Sequence, residues 1–512
     1  MAAAANPLFA PIAKHRITAT TPLNDKYEND LDVDRCAALH NTLMLYGWIC
    51  SGQKLPALKK QSWWSRHGSQ SLQQILKPSL VKYLSKIFDV PDHCFFYHLR
   101  GLTKPGEMLQ LGDVLEDREL GRGLEGEKYR FVVLYATPKA LVSHPAGLVY
   151  DQLTHRAILM PTYHHIFNFK DAGLPWQRLE VILSAYVDMI DAEKVMAIKA
   201  DIHAEYGGLP GLTPWLAQSY TQSDLNSCLE TWKKLVHAIE KKANMVRTTD
   251  LARLCSRTAL DVAGVPKGFA YDLLIQAESS EIWFIAPGIR LPKVEEFIYQ
   301  PFRDICTAYP KETAGMKMPF LFLRCPGEVS AKEAKFRYPF STLSSVPCGL
   351  YLDAFPNAQN PFEDACRLVL PIQLGANRYA RTSDFKAIRK SYADLYQVEI
   401  NPFVMRHGPK LVGVLENWLD NVENGHWSVN EKGVEGGIGM WRKADTREDW
   451  WRYQGVHYEL SPNGLCASNR CKEVLTSLDD LDRGHIKVKK LKHSESFVGS
   501  GAYHGLHITD PA

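Results

Sequence analysis

The sequence predicts a mixed α/β fold, either α/β or α+β, with one large core behind an N-terminal basic helical segment. Three observations predict it. Helical and strand-like apolar spacings are interspersed along the chain. An apolar fraction of 45% and a charged fraction of 23% match an ordinary globular interior, which excludes a chain dominated by disorder. At 512 residues, the chain is also long enough to bury a core of that size. Composition shifts divide it into a flexible polar tail over 1–28, a helical and basic region over 29–125, the mixed core over 126–480, and a polar, basic tail over 481–512.

Taken in order, the first element is a helix over 32–49, where Ala37, Leu39, Leu43, Leu45 and Trp48 cover one broad face. An amphipathic helix follows over 73–88, kinked or restarted at Pro78, with Ile75, Leu80, Tyr83, Leu84 and Ile87 inward. Residues 113–128 are charged and glycine-rich, the composition of a solvated loop. Strands are expected over 129–137 and 155–162. A long helix follows Pro175, with Leu179, Ile182, Leu183, Tyr186, Met189 and Ile190 at helical spacing. Another begins after Ser223 and Asp224 as its cap and ends at Lys241 and Lys242. Between the many prolines of 266–375, short strands fit at 282–286, 320–324, 349–352 and 367–372. A last helix fits 409–422, and the glycines of 433–439 read as a turn with a bulge.

A net charge of +3 is too small for nucleic acid to be attracted globally, so any such affinity must come from a local patch. The eleven cysteines are scattered and mostly in apolar surroundings, which reads as buried thiols in a reducing compartment. The N-terminus lacks a basic leader, and no apolar run reaches the roughly 18–20 residues of a membrane span. A cytoplasmic protein without membrane contact is expected. The phosphate-binding loop, the Gly-x-Ser-x-Gly elbow and the Asp-Asp-x-x-Asp cluster are all missing. His164, His165 and the pair His203 and Glu205 lack metal-ligand spacing, so neither metal nor cofactor is expected.

Two features stand out chemically. Residues 51–88 hold seven lysines and arginines, among them Lys54, Lys59, Lys60 and Arg66, with Trp63 and Trp64 between them and no acidic residue. Such a segment can neutralise phosphates while an indole stacks on a splayed base. More commonly, a charge run is a solvated helix face over core tryptophans. The second feature is a set of charges near the ends of two expected strands: Asp353, Arg378, Arg381, Ser383 and Asp384. Charges there either pair with one another or face a cleft. Glu180 and Asp188, eight residues apart amid leucines and isoleucines, would form a carboxylate pair suited to a cation if both point inward.

Several segments together resemble the fungal arginine-containing cyclodipeptide synthases: 156–160, 174–186, Ile285-Ala-Pro-Gly288, 348–384, 395–403 and 425–438, within a similarity spanning 130–455. The resemblance rests on segments and not on a signature motif. It implies a transferase that joins arginine from arginyl-tRNA to a second aminoacyl unit and releases a cyclic dipeptide, without a cofactor and without DNA. The aminoacyl ester is already activated, so no nucleotide loop is required. Under this reading Asp353, Asp384, Glu180 and Asp188 are candidates for guanidinium binding or proton transfer. Arg378 and Arg381 would meet the tRNA acceptor end, and Ser383 would be the nucleophile if an aminoacyl-enzyme forms. Lys54, Lys59, Lys60, Arg66, Trp63 and Trp64 would contact tRNA. The alternatives are a natural-product cyclase or transferase using another activated donor, and a noncatalytic binding protein.

Overall fold

The computed structural model describes residues 7–455 apart from 117–127, 139–146, 161–173, 206–207, 209–210, 246–252, 292–298, 314–315, 353–361, 385, 399–400 and 405–408. It is a mixed α/β fold. In the first half lie α1 (Val33–Cys50), α2 (Trp63–His67), α3 (Gln70–Ile75), α4 (Pro78–Lys86), β1 (Gly101–Leu102), α5 (Pro105–Glu116), β2 (Phe131–Ala136), β3 (Gly147–Asp151), β4 (Arg156–Met160), β5 (Gln177–Arg178) and α6 (Leu179–Asp191). A short hairpin of β6 (Val195–Ala197) and β7 (Trp215–Ala217) follows. The second half holds α7 (Gln222–Lys242), α8 (Arg257–Val262), α9 (Phe269–Gln276), β8 (Phe284–Ala286), β9 (Ile289–Arg290), α10 (Arg303–Ala308), β10 (Phe320–Val329), β11 (Val346–Leu352), β12 (Cys366–Val369), α11 (Leu411–Glu423), β13 (Val429–Asn430) and β14 (Gly433–Val434).

Strands β1 to β5 form an antiparallel sheet in sequence order. Its period of two is visible in the burial. Val132, Leu134, Leu148, Tyr150, Ala157 and Leu159 face a core shared with α1, α4 and α6, while Phe131, Val133, Val149, Ile158 and Met160 face a smaller cluster under Leu174 and Trp176. Because both faces are covered, β2 reads as a continuous apolar run. The second sheet has the order β12-β11-β10-β9-β8-β14-β13 and is antiparallel except where β14 runs parallel to β8. Its core runs from Leu225 to Tyr453 and includes a group of buried aromatics, Trp418, Trp427, Trp441 and Tyr453.

One sequence expectation changes. The tail expected over 1–28 is packed from Pro7 onward: a 3-10 helix over Pro7–His15 buries Phe9 and Ile12, and Ile17 joins the first core. Of the kink or restart expected at Pro78, the structure has the restart: α3 ends at Ile75 and α4 begins at Pro78, because Lys77 is held extended ahead of the proline ring. Among the described residues, no helix is long and apolar enough to cross a membrane. Most of the described cysteines are buried, and all of them are free thiols. The C-terminal segment 481–512, like His164 and His165, lies outside the described residues.

Candidate functional site

Glu180 sits at the start of α6, where β5 passes directly into the helix, and its carboxylate is 1% exposed. The Arg178 guanidinium pairs with it at 2.5 Å, and the Cys36 thiol lies 3.7 Å away. Burial raises the Glu180 carboxyl above its ordinary value, against the opposing pull of Arg178. Asp188, two turns further along, does not complete a pair with Glu180. It shares the Arg16 guanidinium with Asp191, so the packed N-terminal segment supplies its counter-charge. Both carboxylates therefore bind guanidinium groups, and in each case the group is an arginine of the same chain.

Asp353 lies outside the described residues. The other members of its set fall in the second half, on the irregular chain after β12. Asp384 is buried and accepts a hydrogen bond of 2.5 Å from the Thr382 hydroxyl. The Ser383 hydroxyl is also buried and donates to the Tyr396 carbonyl, which removes it from the position of an activated nucleophile. Arg381 is buried, and its guanidinium donates to the carbonyls of Arg378 and Ala380. Burial lowers its pKa, with Asp445 opposing. Arg378 is exposed at a φ of 71°. Thus Arg381, Ser383 and Asp384 are adjacent and buried, Arg378 points to the surface, and Glu180 and Asp188 belong to the other core.

What organises this loop is a residue the sequence does not single out. The Asp445 carboxylate accepts from the backbone N–H groups of Gly375, Asn377, Tyr379 and Ala380 at 2.8–3.0 Å. The chain over 375–380 is thereby wound about one buried anion.

The basic segment separates into a surface and a support. Trp63 is fully buried and its indole N–H donates to the Thr103 carbonyl, so it cannot stack on a base; this corrects the expectation from sequence. Trp64 is half-buried beside it. Arg66 is held by Asp89, at 3.4 Å to its carboxylate and 3.2 Å to its carbonyl. Lys54, Lys59 and Lys60 are exposed, with the Lys60 ammonium 5.7 Å from the Phe88 ring. Lys199, from beyond β6, adds to the same surface: its side chain lies next to Gly52.

At the seam between the two cores, the ammonium of Lys194 lies 3.0 Å from Asp224 and 3.4 Å from Asp364, and that of Lys410 lies 2.8 Å and 3.4 Å from the same two carboxylates. Burial alone would raise Asp224, but Lys410 and Lys194 outweigh it and hold the carboxyl well below the usual range. Phe362 lies under Lys194 at 4.7 Å and meets Tyr97 edge-on. Beside Tyr97 is His98, 1% exposed, at a φ of 63°, with neither ring nitrogen hydrogen-bonded. No sequence signal marks His98, whereas the alternation of lysine and aspartate is readable only once the fold has brought four distant positions together. His203 is structural, with its ring between the Trp215 carbonyl and the Thr213 hydroxyl.

No family model, curated protein or solved structure matches this chain.

Proposed function

We propose that the chain is an aminoacyl-tRNA-dependent cyclodipeptide synthase that makes cyclo(Arg-Xaa) from arginyl-tRNA and a second aminoacyl-tRNA or amino acid. The observation that carries the RNA half of this reading is the exposed lysine surface of Lys54, Lys59 and Lys60, with Lys199 beside it. Cations on a solvated surface, free of carboxylate partners in their own segment, are what a phosphate backbone requires. The chemical half rests on the segment resemblance.

In the proposed reaction the α-amine of one unit attacks the ester carbonyl of arginyl-tRNA, and the tRNA 3′-oxygen departs with a proton. The arginine α-amine then attacks the ester carbonyl that still joins the second unit to its own tRNA, which closes the ring as that ester C–O bond breaks and the tRNA 3′-oxygen leaves with a proton. The protein's contribution is mainly to hold the amine against the carbonyl. Asp384 is the retained candidate for proton transfer, since Glu180 and Asp188 already hold Arg178 and Arg16.

The test is mass spectrometry of a reaction containing the purified chain, tRNA, arginyl-tRNA synthetase, ATP and amino acids. A ribonuclease-sensitive cyclo(Arg-Xaa) is expected, and Asp384→Asn should abolish it while leaving the melting temperature unchanged. Absence of product, with arginyl-tRNA shown to be present, overturns the reading in favour of a transferase with a different activated donor.

A further inference from the structure

Strand β10 carries a bulge where it pairs with β11. Arg324 is opposite Gly349 and Glu328 is opposite Pro347, so Cys325, Pro326 and Gly327 together face Cys348. Side chains alternate along a strand, and those of opposed residues share a face of the sheet. One step on from the Arg324 and Gly349 pair, Cys325 and Cys348 therefore turn to a common face, and both belong to the core of the second half. Their side chains are hydrogen-bonded to each other. The Cys325 thiol also lies 3.9 Å from the Val369 carbonyl. Val369 is on β12, beyond β11, so the Cys325 side chain leans over β11 where Cys348 and Gly349 lie.

The two thiols differ in access. Cys348 is 0% exposed. Cys325 is 7% exposed and lines a cavity of about 440 Å³ that opens at the bulge, beside Gly327 and Pro347. The space admits a small reagent to Cys325, with Cys348 waiting behind it.

We propose that Cys325 and Cys348 are an oxidisable dithiol, joined as a disulfide when a hydroperoxide enters this cavity. In the first step the Cys325 sulfur attacks the peroxide and the O–O bond breaks. An alcohol, or water from hydrogen peroxide, leaves with the thiol proton, and Cys325 becomes a sulfenic acid. Cys348 then attacks that sulfur, and the S–S bond forms as the S–O bond breaks and water departs. The peroxide takes up the two electrons that the two thiols lose. The product ties β10 to β11 at the bulge and closes the chain between them into a loop. In a reducing compartment such a bond is transient, and thiols reverse it. Thiolate is the reacting form, and the hydrogen bond with Cys348, together with burial, raises the Cys325 thiol far above its ordinary value. Oxidation is therefore slow at neutral pH and quickens as the pH rises. The pair lies apart from the lysine surface and does not depend on the synthase reading.

The experiment exposes the native full-length chain to hydrogen peroxide, blocks the remaining thiols with N-ethylmaleimide in denaturant, and maps the peptides by mass spectrometry. A linkage of Cys325 to Cys348 is expected, reversed by dithiothreitol, with a rate that rises about tenfold per pH unit above neutrality. In Cys348→Ala, dimedone should trap Cys325 as the sulfenic acid; in Cys325→Ala, Cys348 should stay reduced. The wild-type linkage is read without relying on either variant to fold. Absence of the linkage at a dose that oxidises the half-buried Cys50 or Cys306 overturns the proposal. So does a linkage that forms only after the chain is unfolded in urea, or a sulfinic acid at Cys325 while Cys348 is still a free thiol.

Discussion

Asp445 ties together a loop that begins some seventy residues before it, receiving four backbone N–H groups on one carboxylate. Asp445→Ala leaves those donors without an acceptor, and the loss is expected to be about 3 kcal/mol or more in urea unfolding. A loss under about 1 kcal/mol would mean that water replaces the carboxylate. Nothing in the local sequence Lys443-Ala-Asp-Thr446 announces this role, because the partners are backbone groups, which have no sequence signature. His98 was illegible for a different reason: its burial comes from long-range packing around a strained turn. Burial pushes His98 down to about 3 and His40 down to about 4. Both folded values lie below the unfolded value of about 6.5. Their contribution is therefore whole above that pH and is lost as the pH falls toward 4, because only the unfolded chain takes up the protons. Each group lowers stability by up to about 1.4 kcal/mol per pH unit in that window. His98→Asn, which tolerates the positive φ, should make the acid slope of urea stability shallower. An unchanged slope would show that His98 does not titrate on unfolding.

Among the elements, legibility followed periodicity. The helix expected after Pro175 is α6, and those expected over 32–49 and 409–422 are α1 and α11, each within two residues at the C-terminal end. The cap of α7 is shifted: Thr221 is the N-cap, and Asp224 closes a capping box from the third helical position. Strand β3 was not expected, because Gly147-Leu-Val-Tyr-Asp151 is short and follows a proline-containing stretch, so only its pairing with β2 and β4 defines it. In the basic segment, charge was legible and indole placement was not, since both tryptophans sit in one short helix and only packing decides which is inside. Trp63→Ala is expected to cost about 3–5 kcal/mol in unfolding free energy, against a small effect for Trp64→Ala. Reversing Lys59 and Lys60 to glutamate should leave stability within about 0.5 kcal/mol and weaken tRNA binding. The slope of log affinity against log salt should also fall by about 1.5 to 2 as two phosphate contacts are removed. Unchanged affinity and slope in a filter-binding series would take this surface out of the RNA reading.

At the scale of the whole molecule, two apolar cores meet at a seam where Lys194, Lys410, Asp224 and Asp364 alternate in charge. Taking four charges from water is costly, and the quartet repays it only while every member is present. Lys194→Met leaves two buried carboxylates facing one ammonium, with an expected loss of about 3–5 kcal/mol at neutral pH. The pH dependence separates this from a packing defect. In the wild type, the lysines hold the Asp224 carboxyl far below its unfolded value near 4. The stability it contributes is therefore present above about pH 4 and disappears as the pH falls below that. With Lys194 gone the depression shrinks, so there is less for acid to remove. The deficit of the variant should be largest near pH 7 and should narrow steadily below pH 4, as read from denaturant midpoints at matched ionic strength. Differential scanning calorimetry adds a second reading, since loosening the seam should divide one transition into two, one for each core. A deficit constant across pH together with a single transition would mean that Lys194 fills space, and that its charge does not join the two cores.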